Sequence, residues 1–213
     1  MPPTGCWKER GRARRKTKGK FIALEGGDGT GKSTQARLLA SFLEGLGIFV
    51  QTTREPDSPL ILKALSGCRS KKEACLLFAA DRASHSEKVE ELLRAGAWVV
   101  CDRFTDSSLA YQAGGWGMDL RQVEEVNAFA TRLAPDLTLI LSCPAPLAAA
   151  RMRRRGQESG FDLDLALQKR VSCLYRLLAL RGGERKLVDA SGTERQVESR
   201  IREEVKRKWN LKS

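Results

Sequence analysis

Long apolar runs are the first thing this chain lacks. No stretch approaches 18 uninterrupted apolar residues, so a membrane span is excluded and a soluble protein is expected. Histidine is almost missing as well. His85 stands alone, without the partners that a histidine metal site or proton relay needs, and reads as a surface residue. The six cysteines (Cys6, Cys68, Cys75, Cys101, Cys143 and Cys173) include no C-x-x-C pair. That argues against a zinc site or a dithiol redox centre, and for reduced thiols in a cytoplasmic protein. Cys101 and Cys143 close apolar runs and read as small core residues. Asparagine occurs only as Asn127 and Asn210, neither followed by Lys, so the N-K-x-D guanine motif of small GTPases is absent. The H-R-D motif and glycine-rich strand loop of protein kinases are absent too.

Basic charge, in contrast, is plentiful. The formal net charge is +12, but +7 of it falls in residues 1–20, where eight basic side chains face Glu9 alone. The segment 1–19 has almost no apolar periodicity and is expected to be a disordered, solvated extension. It lacks the apolar region of a secretory signal. Residues 20–213 then carry only a modest excess and no RNP motif, so no specific nucleic-acid partner is expected. At 213 residues and 41% hydrophobic, the chain suits a single domain with a full core.

The chain is organised around FIALEGGDGTGKST, Phe21 to Thr34. Its apolar opening reads as a buried strand, and Gly26, Gly27, Asp28, Gly29, Thr30, Gly31, Lys32 and Ser33 match the phosphate-loop pattern G-x-x-x-x-G-K-[ST]. Glycines let successive N–H groups turn inward toward phosphate oxygens, and the helix that follows adds its positive end. Lys32 then reaches the β- and γ-phosphates, and the Ser33 hydroxyl is placed for Mg2+.

Further along, helical and extended patterns alternate. The periodicity predicts a first helix ending before Gly47, strands at Ile48–Thr53, Ala97–Cys101, Leu137–Leu141 and Leu187–Ala190, and helices at Lys72–His85, Val89–Ala95, Leu120–Leu133 and Leu163–Ala179. Residues 57–70 read as a compact punctuated stretch. A final helix opens with the capping box Thr193-x-x-Gln196. This alternation means an α/β fold with a parallel sheet covered on both faces. Arg54 ends the second strand, at the edge where such sheets bind ligands, and reads equally as an anion contact or a surface partner of Glu55. Phe78 and Arg82 share a helix face, either as packing plus a solvated charge or as a stacking ring plus a donor to base edges. Asp102, at the end of the third strand, is placed either to hold magnesium or to cap a turn. Arg151, Arg153, Arg154 and Arg155 suit a mobile cover over triphosphate, or else a basic helix end.

Taken together, EGGDGTGKST, TREP, LFAADRASH, DRFTDSSLAYQ and DASG stand in the order and near the spacing of the thymidylate kinases, which the chain resembles from about Lys20 onward. The resemblance implies a P-loop nucleoside monophosphate kinase with five parallel strands and a lid at about 151–161. It implies a homodimer that moves the γ-phosphoryl group of ATP to dTMP with Mg2+. Kinases for dUMP, dCMP or a deoxynucleoside, and a non-catalytic nucleic-acid-binding P-loop protein, are the alternatives.

By the same resemblance, Phe78 stacks on thymine, Arg82 bonds its edge, and Ser108 and Gln112 line the base pocket. Tyr111 lies under the sugar, and Arg54 and Arg103 hold the acceptor phosphate. Asp28 meets the 3′-hydroxyl or orders water at magnesium, Asp102 organises the ion, and Ser191 and Gly192 lie by adenine. The phosphate loop, through Thr34, carries ATP. Because Gly29 fills the place where one subgroup of the family carries a loop arginine, Arg151, Arg153 or Arg155 of the lid must supply it. Two departures stand out: Asp57 and Ser58 replace the two glycines that usually follow TREP, and Ser159 and Gly160 replace the lid's usual Asp-Arg pair.

Overall fold

The computed structural model describes residues 19–154 and 164–212. Residues 1–18 of the expected tail and residues 155–161 of the expected lid, Arg155 included, lie outside these residues. Five strands form one parallel sheet in the order β2-β3-β1-β4-β5. They are β1 (Phe21–Gly26), β2 (Val50–Arg54), β3 (Trp98–Asp102), β4 (Leu137–Ser142) and β5 (Arg185–Asp189). After β3 the chain crosses to the other side of β1, so the end of β1 sits where the winding direction reverses, and ligands of open α/β sheets bind there.

Strand alternation assigns each face its own core. Ile22 and Leu24 of β1 pack with Val100 of β3 and Leu139 of β4 against α1 (Lys32–Gly45) and α8 (Glu194–Trp209). Phe21 and Ala23 point the other way, with Val99 and Cys101, toward α3 (Lys71–Arg94). On that side Ile140 also meets Val171, Tyr175 and Leu178 of α7 (Leu165–Leu180). These strand residues are buried on both sides, which is why the strands read as nearly continuous apolar runs.

The remaining elements are α2 (Pro59–Ser66), α4 (Thr105–Ser108), α5 (Leu120–Ala130) and α6 (Ala145–Arg154). A π-helical stretch, Leu109–Gly115, follows α4 directly. The expected capping box at Thr193 and Gln196 is present, with both reciprocal bonds made.

Three expectations need correction. Residues 57–70 contain α2, a helix of eight residues without a buried side chain, whose first turn is fixed by Pro59 and by the Ser58 hydroxyl accepting from the Ile61 N–H. The helices expected at 72–85 and 89–95 are one helix of 24 residues. Polar residues interrupt its apolar stripe, but neither Gly nor Pro interrupts its backbone. His85 is buried on that helix, 1% exposed, and not at the surface. Its Nδ1 lies 3.0 Å from Glu55 Oε1, a partner 30 residues away that helical spacing cannot reveal. Cys101 and Cys143 are buried as expected, and the five described cysteines are free.

Candidate active site

The phosphate loop leaves β1 through glycines in left-handed conformations, with φ of 75° at Gly29 and 98° at Gly31. Gly29 is also sterically fixed, since a Cβ there would stand 2.3 Å from the Ala148 carbonyl oxygen of α6. No arginine fits that place. Thr30 Oγ1 and Lys32 Nζ each donate to the Gly27 carbonyl at 2.8 Å, closing the loop on itself. Burial and repulsion from Arg103 push the Lys32 ammonium down to about 8, so it is still charged at neutral pH. A cation held in so dry a place is matched to an anion that is equally dehydrated.

Ser33 and Asp102 meet beside the loop. The exposed Ser33 hydroxyl donates to Asp102 Oδ2 at 2.5 Å, whereas Asp102 Oδ1 is buried without a hydrogen-bond partner. A hydroxyl and a carboxylate with an unsatisfied oxygen are hard donors of the type magnesium takes, and a site with so few protein ligands leaves room for phosphate and water. Among the described residues no three His, Cys, Asp or Glu side chains cluster as a complete metal cage.

Next to Asp102, Arg103 adopts φ 75°, a left-handed conformation that is costly for a residue with a Cβ. Its guanidinium pairs with the Asp28 carboxylate and lies 5.1 Å from the centre of the Tyr111 ring. Burial alone would raise the Asp28 carboxyl, but Arg103 and Lys32 outweigh it and hold the group down at about 2. Gln168, from the first turn of α7, donates to the other Asp28 oxygen at 3.1 Å.

A cavity of about 200 Å³ opens beside this pair, walled by Phe78, Arg82, Arg103, Ser108, Tyr111 and Gln112. Six of the expected acceptor-side residues, distant in sequence, therefore converge. Arg54 does not line it and stands exposed at the end of β2, one residue from the wall formed by Glu55. Trp116 completes the mouth, its ring 6.4 Å from that of Phe78. Gln112 Oε1 is buried in the wall with no hydrogen-bond partner, an acceptor available to a donor that enters. Arg82 is more committed. Its guanidinium donates to Glu55 Oε2, Ser108 Oγ, Asn127 Oδ1 and the Phe104 carbonyl, so it carries the cavity wall as well as facing into it. Trp116, Glu55, Ser107 and Gln168 escaped sequence reasoning. A tryptophan after two glycines was the one local sign of the first, and the others show only in three dimensions.

On the other side of the phosphate loop a smaller cavity of about 90 Å³ is lined by Thr30, Gly31, Thr34, Gln35, Arg151 and residues of α8. Arg151 donates to the carbonyls of Ala190 at 2.9 Å and Gly192 at 2.8 Å, fastening α6 to the loop after β5. Ser191 and Gly192 lie in that loop. Arg153 is exposed on the last turn of α6.

A phosphate loop at the winding reversal, a carboxylate at the end of the neighbouring strand, and a second cavity facing the loop across Arg103 define a P-loop kinase of the nucleoside monophosphate kinase type. Comparison with known proteins narrows the class: a family model described as thymidylate kinase matches residues 24–201. The chain belongs to that family. It is 41% identical over 198 residues to a Pyrococcus abyssi protein named "Probable thymidylate kinase", covering 86% of this chain and 94% of the relative. Thymidylate kinases of Rhizorhabdus wittichii, at 37% identity with 86% and 95% covered, and of Pelotomaculum thermopropionicum, at 41% with 84% and 89% covered, are similarly close.

Proposed function

We propose that this chain transfers the γ-phosphoryl group of ATP to dTMP, giving dTDP and ADP. The observation that carries the reading is the cavity between Phe78 and Arg103, set against a phosphate loop whose Asp28 is paired with that same arginine. In this reading dTMP lies with its ring on Phe78 and its phosphate at Arg103, and Tyr111 stands beneath the sugar. The buried Gln112 Oε1 accepts from the N3–H of thymine. Cytosine, which offers an acceptor at that atom, would leave two lone pairs facing each other.

The acceptor phosphate has a second pKa near ~6 and is already ionised at neutral pH. No general base is required, and His85, the chain's single histidine, is buried against Glu55 and does not line the cavity. What the reaction requires is alignment and cancellation of charge between two polyanions. Arg103 draws in the acceptor, and Lys32 meets the donor phosphates in the phosphate loop. Arg54 adds positive charge at the rim. Ser33 and Asp102 would hold magnesium, which when bound would supply charge neutralisation to the phosphates. With Gly29 sterically closed to any side chain, the transferring group draws its arginine from α6 and the lid: Arg153 or Arg155, with Arg151 bracing the adenine side at Ser191 and Gly192.

A cytoplasmic homodimer belongs to the same reading. Five free cysteines suit a reducing compartment, and no described helix is long and apolar enough to cross a membrane. Residues 1–19 are read as an appendage to one kinase domain at 20–213. A coupled ADP-release assay with ATP and magnesium over a panel of nucleoside monophosphates tests the function. Turnover is expected to be highest with dTMP, and a higher specificity constant for dCMP would overturn the assignment.

A further inference from the structure

Glu25 carries the last side chain of β1 before the phosphate loop, and it is completely buried, at 0% exposed. Strand alternation sends it to the face of Phe21 and Ala23, away from the loop's own ligands. It receives four hydrogen bonds there. Oε1 accepts from the backbone N–H of Phe104 at 2.8 Å and of Ser107 at 3.1 Å. Oε2 accepts from the Ser107 hydroxyl at 2.6 Å and the Tyr175 hydroxyl at 2.9 Å. A carboxyl group whose two oxygens each take part in two hydrogen bonds in a dry interior is a rigid anchor.

What it anchors is the peptide that follows Arg103. Left-handed backbone at a non-glycine residue is costly and persists only where the surroundings over-determine it. Here the N–H of Arg103 is held by the Leu24 carbonyl at 3.0 Å and the next N–H, of Phe104, by Glu25. The strained residue is thus pinned on both sides by two consecutive residues of β1. α4 is fastened in turn by Arg185 of β5, whose guanidinium forks onto Asp106 at 2.7 and 2.8 Å. Arg82 of α3 holds Ser108.

We infer that Glu25 is a positioning residue for phosphoryl transfer: its carboxyl group locks Arg103 in the left-handed conformation that aims the guanidinium at Asp28 and the acceptor cavity. The inference rests on the reading of Arg103 as the acceptor-phosphate ligand. Glu25 touches neither nucleotide in this scheme and acts only through the loop it holds.

A double-mutant cycle tests it. Glu25→Ala is expected to lower kcat/KM for dTMP about tenfold or more, since ~1.4 kcal/mol of lost preorganisation is a factor of ten, and to leave the Kd for ADP within about twofold. Glu25→Gln keeps an acceptor for both amides and is expected to recover most of that loss. In an Arg103→Ala background, Glu25→Ala should cost less than about twofold more. An equal loss in both backgrounds, or a matching loss of ADP affinity, would overturn the inference and make Glu25 a general structural residue. If Arg103→Ala alone leaves dTMP kinetics unchanged, the reading of Arg103 fails, and the role of Glu25 with it. Should Glu25→Ala not fold, Tyr175→Phe removes one bond from Oε2, and the same cycle is run with an expected loss of about fivefold; no loss there would equally overturn the inference.

Discussion

Arg82 faces the acceptor cavity and also neutralises Glu55, which is only 6% exposed. The two roles predict different results when Arg82 is replaced by Met, which keeps most of the stem volume. Glu55 Oε2 would lose two charge-assisted donors, at 3.0 and 2.6 Å, and among the described residues His85, 3.0 Å from Oε1, would remain the carboxylate's side-chain partner. Breaking a buried pair from one side typically costs about 3–5 kcal/mol, because the surviving charge stays desolvated. For a chain of this size each kcal/mol lowers Tm by roughly 2–4 °C, so a fall of about 6–20 °C is expected. Adding Glu55→Gln removes the orphaned charge and should restore about 2 kcal/mol in urea unfolding. Turnover of dTMP should not return, because the donor to the base edge is still missing. A loss below about 1 kcal/mol in Arg82→Met would refute the burial argument. Recovery of turnover together with stability in the double variant would reduce Arg82 to a structural residue.

Other outcomes follow from the same geometry. Lys32→Met should abolish measurable turnover and leave urea stability equal or higher, because burial and Arg103 already disfavour the charged ammonium. Gln112→Leu should lower kcat/KM for dTMP more than for dCMP and narrow the ratio between them about tenfold, read in the coupled assay. Phe78→Ala should raise the dTMP KM about three- to tenfold with little change in that of ATP, since the ring is half-buried at the acceptor mouth alone. For pH, burial and the neighbouring Asp106 push the Glu25 carboxyl up from 4.5 to about 7. The folded state therefore holds that proton over a range where the unfolded chain has released it, and stability falls as pH rises from 4.5 through 7. Groups facing it are Asp106, Tyr175, Ser107 and Arg185. The wild-type advantage over Glu25→Gln should shrink by roughly 3 kcal/mol across that window; a constant difference would contradict the assignment.

Much of the fold was legible because its signals are local. Phe21 to Thr34 announced both the central strand and the phosphate loop, and the apolar runs at 98–101 and 137–141 marked strands that are buried on both faces. Asp102 was legible because it terminates such a run. The start of β5 was not: Arg185 and Lys186 are polar edge-strand residues whose pairing with β4 leaves no alternation to read. Nor was the burial of His85 and Glu55, which depends on a meeting across 30 residues, or that of Glu25, which reads in sequence as an ordinary acid before two glycines. The glycines missing after TREP also gain an explanation. The N–H groups of Asp57 and Ser58 donate to the buried Asp81 carboxylate at 2.7 to 3.1 Å, and Asp57 pairs with Lys88, so side chains secure this turn.

The most direct measurement is a crystal structure of the protein with dTMP and a non-hydrolysable ATP analogue. Thymine is expected against Phe78 with its N3–H on Gln112 Oε1, and the monophosphate on Arg103 facing the phosphate loop across Asp28. A pyrimidine bound anywhere else, or a monophosphate that Arg103 does not contact, would contradict this assignment of the site.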